Sequence, residues 1–202
     1  FEQLENPKAN LATEVYSDSG ELMGYIGIQN RSNVTYKDIS PNLINALVAT
    51  EDARFYEHSG IDFRSLLRVL TKTVLGGNKS SGGGSTLTQQ LAKNLFPREQ
   101  KSTFGTVFAK LKEWVVAVKL ERNYSKEEIL SMYLNTVDYG SNAFGIKAAS
   151  QIFFSKQPSE LEVEEAAVLV GLLKAPTAYS PVRNPENANR LLSKRKNIRT
   201  CR

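Results

Sequence analysis

The sequence predicts a mainly α-helical fold preceded by a short β-hairpin, and three observations carry that expectation. From Ser40 onward, apolar residues recur at helical spacing almost without interruption. Helix-start signals punctuate this stretch at several points. Before about Tyr36 the pattern differs, with two short β-prone runs flanking a glycine turn.

Taken in order, Val15-Tyr16 and Leu22–Ile28 are the two runs, and Asp18-Ser19-Gly20 is the turn between them. Ser40-Pro41 then supplies an N-cap and a proline at the first helical position, where a missing N–H is no loss. The helix that follows has an apolar stripe of Ile44, Leu47, Val48 and Phe55. Three later starts fit the capping-box pattern: Thr86-Leu87-Thr88-Gln89, Ser125-Lys126-Glu127-Glu128 and Ser159-Glu160-Leu161-Glu162. Glycine and proline cluster at Gly76–Gly84 and Pro176–Pro185, marking loops. There is no internal repeat and no heptad seam.

The chain has 202 residues, enough for one large domain or a domain with a small lobe. Its formal net charge of +5 favours an anionic partner. Nucleic acid, anionic lipid headgroups and a pyrophosphate substrate all fit, as does a lysine excess that only keeps the domain soluble. A single cysteine, Cys201, excludes an internal disulfide and a cysteine-rich metal site. The longest apolar run, Ala166–Leu173, is far too short to span a bilayer. Phe1-Glu2-Gln3-Leu4 lacks an initiator Met, and Arg190–Arg202 stops inside a basic helical pattern, so both ends read as cut.

Three segments carry chemistry. Glu51 falls within the apolar stripe of the first long helix, whereas Asp52 lies to its side. An ionised carboxylate in apolar surroundings is costly, so burial there is expected to raise its pKa toward the range of a general acid or base. The alternative is an ion pair of Glu51 with Arg54 or a lysine at the core edge. The second segment, Ser80-Ser81-Gly82-Gly83-Gly84-Ser85-Thr86, enters a capped helix, a natural place for an anion to meet free N–H groups. It lacks the Walker A spacing, and Lys93 further along is either a phosphate contact or a solvated lysine. In the third, Lys110 and Glu113 stand three apart on a helix, the spacing of an ordinary intrahelical pair.

In order, these segments resemble the glycosyltransferase family of class A penicillin-binding proteins and monofunctional peptidoglycan glycosyltransferases. The first motif is matched by Glu51-Asp52-Ala53-Arg54-Phe55-Tyr56-Glu57-His58-Ser59-Gly60, and the second by Gly84-Ser85-Thr86-Leu87-Thr88-Gln89-Gln90 with Lys93-Asn94. Lys110-Leu111-Lys112-Glu113 matches the third, and Glu128-Ile129-Leu130 with Tyr133-Leu134-Asn135, Gly140 and Gly145 the fourth. Glu165-Ala166-Ala167 with Gly171 and Pro176 matches the fifth. Departures are Ala109 where an arginine usually opens the third motif, and Ser180 in place of the usual asparagine. A further basic residue is expected between Lys93 and Glu113, and Arg98 and Lys101 both qualify.

The resemblance implies a lysozyme-like main lobe, a small membrane-facing jaw lobe at roughly residues 63–110 and a glycosyltransferase domain over 40–202. Residues 1–39 would be hairpin and linker after a membrane anchor. It implies polymerisation of lipid II on a growing glycan strand at the outer face of the bacterial cytoplasmic membrane, among other cell-wall synthesis proteins and without nucleic acid. Glu51 would be the general base and Glu113 the second catalytic carboxylate. Lys93 and Lys110 would bind the pyrophosphate, and Ser85 and Gln90 would position sugar or phosphate. No cofactor is required by the sequence, although a divalent cation, Mg or Mn, is compatible. His58, Trp114 and Tyr133 read as structural, and Glu165 as a buried, paired carboxylate. Phe63, Leu66, Leu67, Leu70 and Val74 form one helical stripe opposite Arg64, Arg68 and Lys72, the pattern of a helix lying on anionic lipid or one packed on the core. Rival readings are a lysozyme-like glycan-cleaving enzyme and a non-catalytic basic module at a membrane or nucleic acid.

Overall fold

The computed structural model describes residues 13–20, 22–26, 33–76, 84–97 and 103–176, with Tyr179 and Glu186. Most of the glycine loop, Arg98, Lys101, Ser180, Pro181 and the basic stretch 190–202 with Cys201 lie outside the described residues, as do the side chains of Leu70, Lys72, Val74 and Phe104.

The described chain is mainly helical. Thr13–Tyr16 (β1) and Leu22–Ile26 (β2) pair antiparallel, with Thr13 opposite Ile26 and an irregularity between Val15 and Tyr16. At the turn, Gly20 has φ +81 and donates its N–H to the Ser17 carbonyl at 2.9 Å, a left-handed position that suits glycine. Seven α-helices follow among the described residues: Pro41–Glu51 (α1), Phe63–Gly76 (α2), Leu87–Leu95 (α3), Thr103–Asn123 (α4), Lys126–Thr136 (α5), Ile146–Phe154 (α6) and Val163–Lys174 (α7).

Two of the expected helix starts hold in detail. Thr86 accepts the Gln89 N–H at 3.2 Å. Ser125 and Glu128 exchange the two bonds of a capping box, at 2.7 and 3.2 Å. The start expected at Ser159 is displaced by three residues. Pro158–Glu160 is a short 3-10 turn, and α7 begins after Glu162, whose N–H is accepted by Glu165 at 2.9 Å. A carboxylate takes the capping place there, so a search keyed on a hydroxyl lands one turn early.

The chain divides into two compact units, one of Phe1–Ala46 with Leu134–Arg202 and the other of Leu47–Tyr133. In the first, Asn135 pairs with the backbone of Val34 through both amide groups, at 3.1 and 2.9 Å. Ser40 and Asn42 both donate to the Leu161 carbonyl, fixing the start of α1 beside α7. Leu43, Ala149, Leu169 and Val170 are among its fully buried residues. Glu165 is half-buried rather than buried, and it pairs with Lys156 at 2.9 Å.

The second unit holds α2, α3 and α4, with α3 packed on α4. Gly60 is indispensable to it. At φ +92, any Cβ there would come within 2.9 Å of the Ala117 carbonyl group, so only glycine lets the loop after α1 close on α4. Around that contact Thr86 donates to the Gly60 carbonyl at 2.7 Å, and Lys126 donates to the His58 carbonyl at 2.7 Å. Lys126 also pairs with Glu121 at 2.7 Å and sits 4.3 Å over the Phe55 ring.

Candidate active site

The candidate site residues all belong to the unit Leu47–Tyr133, and hydrogen bonds join five of the six into two groups. The first group begins where α1 ends. Leu43, Ile44 and Leu47 bury the helix face, and Glu51 follows Leu47 by one turn. Because the helix stops there, Glu51 is half-buried rather than enclosed, and its Oε2 accepts a long 3.4 Å bond from the Gln90 amide. Gln90 in turn accepts from the buried Tyr133 hydroxyl at 3.0 Å. Burial first, and the charge of Glu51 second, push the Tyr133 phenol well above its ordinary range.

Asp52 reverses the sequence expectation. Placed off the apolar face by helical spacing, it is 7% exposed and the more buried of the two neighbours. The helical spacing does not extend past Glu51, the last residue of α1. The Asp52 carboxylate accepts the Leu87 N–H at 3.0 Å and meets His58 Nε2 at 3.0 and 3.1 Å. His58 Nδ1 accepts the Gly60 N–H at 3.2 Å, so the ring carries its proton on Nε2 and donates it to Asp52. His58 thus links Asp52 to the Gly60 backbone through its two ring nitrogens.

This arrangement also changes the reading of the α3 N-terminus. Of its unpaired N–H groups, that of Leu87 is taken by Asp52 and that of Gln89 by Thr86. The anion that the helix dipole attracts there is the protein's own Asp52.

The second group centres on Lys110. Its ammonium donates to Ser85 Oγ at 3.0 Å and to Glu113 at 3.0 Å, linking the residue before the α3 cap to the middle of α4. Glu113 is 5% exposed, while the Lys110 side chain remains about one-third exposed. A buried carboxylate requires such a partner, so the pair is held together by burial as well as by helical spacing. Lys93 joins neither group. It is exposed in the last turn of α3, where a cation also complements the helix C-terminus.

Nearby, Asp62 caps α2 and holds Arg54 through bonds of 2.7, 2.9 and 3.1 Å. Burial pushes the Asp62 carboxyl up, but bonds from Ser65 and from the charged Arg54 outweigh it and lower its pKa to about 2. Among the described residues no group of three or more His, Cys, Asp or Glu could hold a metal ion. Trp114 is half-buried, and its Nε1 is enclosed without a hydrogen-bond partner among the described residues.

The unit thus holds a half-open carboxylate at the end of α1 and a lysine–carboxylate pair in the middle of α4 that bonds to Ser85 before α3. Residues 19–200 match the model of the family described as Transglycosylase, and the chain belongs to that family. It is 45% identical over 177 residues to penicillin-binding protein 1A of Aquifex aeolicus (strain VF5), covering 88% of this chain and 24% of that protein. It is 41% identical over 175 residues to penicillin-binding protein 1F of Bacillus subtilis (strain 168), covering 87% of this chain and 24% of the relative. The chain therefore spans about a quarter of the length of these relatives. Among solved structures it is similar to penicillin-binding protein 1A from Haemophilus influenzae, with a TM-score of 0.44 and 20% identity over 93% of this chain and 18% of that one.

Proposed function

We propose that this chain polymerises lipid II into a β-1,4 glycan strand with release of undecaprenyl pyrophosphate. The observation that carries the proposal is the Lys110 bridge, one partly exposed ammonium held between Ser85 and the buried Glu113. It offers charge to a leaving pyrophosphate while Glu51 stands apart as an available base.

In this reading Glu51 takes the proton from the acceptor sugar's 4-hydroxyl. The freed oxygen attacks the anomeric carbon of the lipid-linked donor, the carbon–oxygen bond to pyrophosphate breaks, and the α-linkage inverts to β. Lys110 neutralises the departing phosphates, Glu113 holds Lys110 in place, and Ser85 shares the contact. Lys93 reaches the same anion from the exposed surface of α3. Gln90 orients Glu51. Among the described residues a divalent cation, Mg or Mn, would find Glu113 beside the substrate's own phosphates as a ligand, sharing the neutralisation with the lysines.

The domain over 40–202 would adopt a lysozyme-like main lobe with a jaw at roughly 63–110, following hairpin and linker over 1–39. Support for a membrane-facing jaw comes from unpartnered apolar side chains. Phe63 is 70% exposed and Phe108 74%, with Leu67, Val107, Leu111 and Val115 also exposed. Val107, Phe108, Leu111 and Val115 share one face of α4, opposite its buried side. Among the described residues no helix is long and apolar enough to cross a membrane, so this surface would lie on the bilayer. The outer face of the cytoplasmic membrane and the company of other cell-wall synthesis proteins complete the proposal.

The test is incubation of the chain with labelled lipid II in detergent or vesicles. Polymer and released undecaprenyl pyrophosphate are expected from the wild type and neither from Glu51→Gln. Hydrolysis of preformed glycan without polymer formation would instead support a glycan-cleaving enzyme.

A further inference from the structure

The hydrogen-bond chain Tyr133–Gln90–Glu51 spans α5, α3 and the end of α1 within one unit. A glutamine amide can be turned either way, and the two orientations have opposite effects on a neighbouring carboxylate. With Nε2 toward Glu51 the amide donates to the carboxylate; with Oε1 toward it, two oxygens oppose each other.

Tyr133 settles the choice. The residue is 2% exposed, and its hydroxyl donates to Gln90 Oε1 at 3.0 Å. Turning the amide would let the hydroxyl accept from the NH2 group but leave its own proton without that acceptor and set Oε1 against the Glu51 carboxylate, so the hydroxyl holds Oε1 on its own side. Nε2 is then aimed at Glu51 Oε2. The phenol also stays protonated, hence a donor, because burial and the Glu51 charge both raise it.

We infer that Tyr133 is a positioning residue for the transfer reaction. Acting through Gln90, it occupies one Glu51 oxygen and favours the ionised base, leaving the other oxygen for the incoming hydroxyl. The inference rests on the proposed role of Glu51 as the base. The titratable groups joined by the chain or adjoining it are Glu51, Tyr133 and, next along the backbone, Asp52 with His58.

The sign is fixed by which form is stabilised. Gln90 donates to ionised Glu51, so losing that bond raises the Glu51 pKa, and the fraction of active base falls at the acid end. Tyr133→Phe, which removes one oxygen and keeps the ring, is expected to move the Glu51 titration upward by about half a pH unit. It should also cut polymerisation by up to about threefold at the acid end of the pH–rate profile and less at pH 8.

The decisive reading is direct titration of 13C-labelled glutamate side chains by NMR in the unliganded protein, with Glu51→Gln assigning the signal. Gln90→Leu, which cuts the chain in its middle, should raise Glu51 at least as far, and Tyr133→Phe should add nothing in that background. Glu51 titrating as in the wild type in either folded variant, checked by circular dichroism, overturns the inference. So does an equal further shift on adding Tyr133→Phe to Gln90→Leu. Because the titration needs no substrate, a chain that failed to polymerise lipid II yet showed the shift would sink the proposed activity and leave the positioning intact.

Discussion

The end of α1 and the middle of α4 each present a glutamate, and the two are treated in opposite ways. Glu51 is half-buried and receives one long bond from a neutral amide. Glu113 is buried and receives a 3.0 Å bond from an ammonium. A carboxylate that must take up a proton cannot be locked to a cation, whereas one that must hold a lysine in place gains from it. In the proposed reaction this difference separates an available base from a fixed counter-charge.

The largest effect is expected at Glu51→Gln. Loss of a general base should lower turnover by about two to four orders of magnitude. The fold should survive, since the side chain is isosteric and half open to solvent. A turnover above about a tenth of wild type in the lipid II assay would place the base elsewhere.

Glu113→Gln is expected to act on the lysine rather than on proton transfer. It weakens a charge-assisted bond, worth on the order of 1.5–3 kcal/mol, so turnover should fall about tenfold to a hundredfold. The acid limb of its pH–rate profile should stay where the wild type has it, which a second base would not allow.

Asp52→Asn should now be read as a stability variant. It weakens the carboxylate's hold on the Leu87 N–H and on His58, and the expected loss is about 1.5–3 kcal/mol in urea unfolding. An unchanged urea midpoint would contradict the clamp.

The smallest effect concerns Asp62. Its pKa is lowered to about 2, so its contribution is fully present above the ordinary carboxylate range near pH 4 and is lost as pH falls toward 2. Asp62→Ala should cost about 0.5–2 kcal/mol at pH 7 through the lost α2 cap. The gap between variant and wild type should narrow between pH 4 and pH 2. A gap that stayed constant over that window would remove the linkage.

Much of this was legible in the sequence where the signal is local. The starts of α3 and α5 follow from Thr86 and Ser125, because a cap bonds within three residues of itself. The Lys110–Glu113 pair follows from helical spacing. What helical spacing could not supply is the side chain's fate once a helix has ended. That is why helical spacing puts Asp52, one residue past α1, off the apolar face, whereas the structure buries it. Nor does any local pattern announce that Tyr133 reaches Gln90, 43 residues earlier, or that Lys110 reaches Ser85, 25 residues earlier. The helix start after the glycine loop illustrates the same limit: the Leu87 N–H is taken by Asp52, 35 residues earlier.

The division of labour between the two glutamates is tested most directly by binding rather than by turnover. The measurement is the affinity of undecaprenyl pyrophosphate, in matched detergent, for wild type, Glu51→Gln and Lys110→Met. Folding must be verified for the last, because it leaves Glu113 buried without its cation. Glu51→Gln should bind the product as the wild type does. Lys110→Met should lose roughly tenfold to a hundredfold, the equivalent of one charge-assisted contact. Folded Lys110→Met binding like the wild type, with Glu51→Gln weakened, would contradict the account by exchanging the two roles.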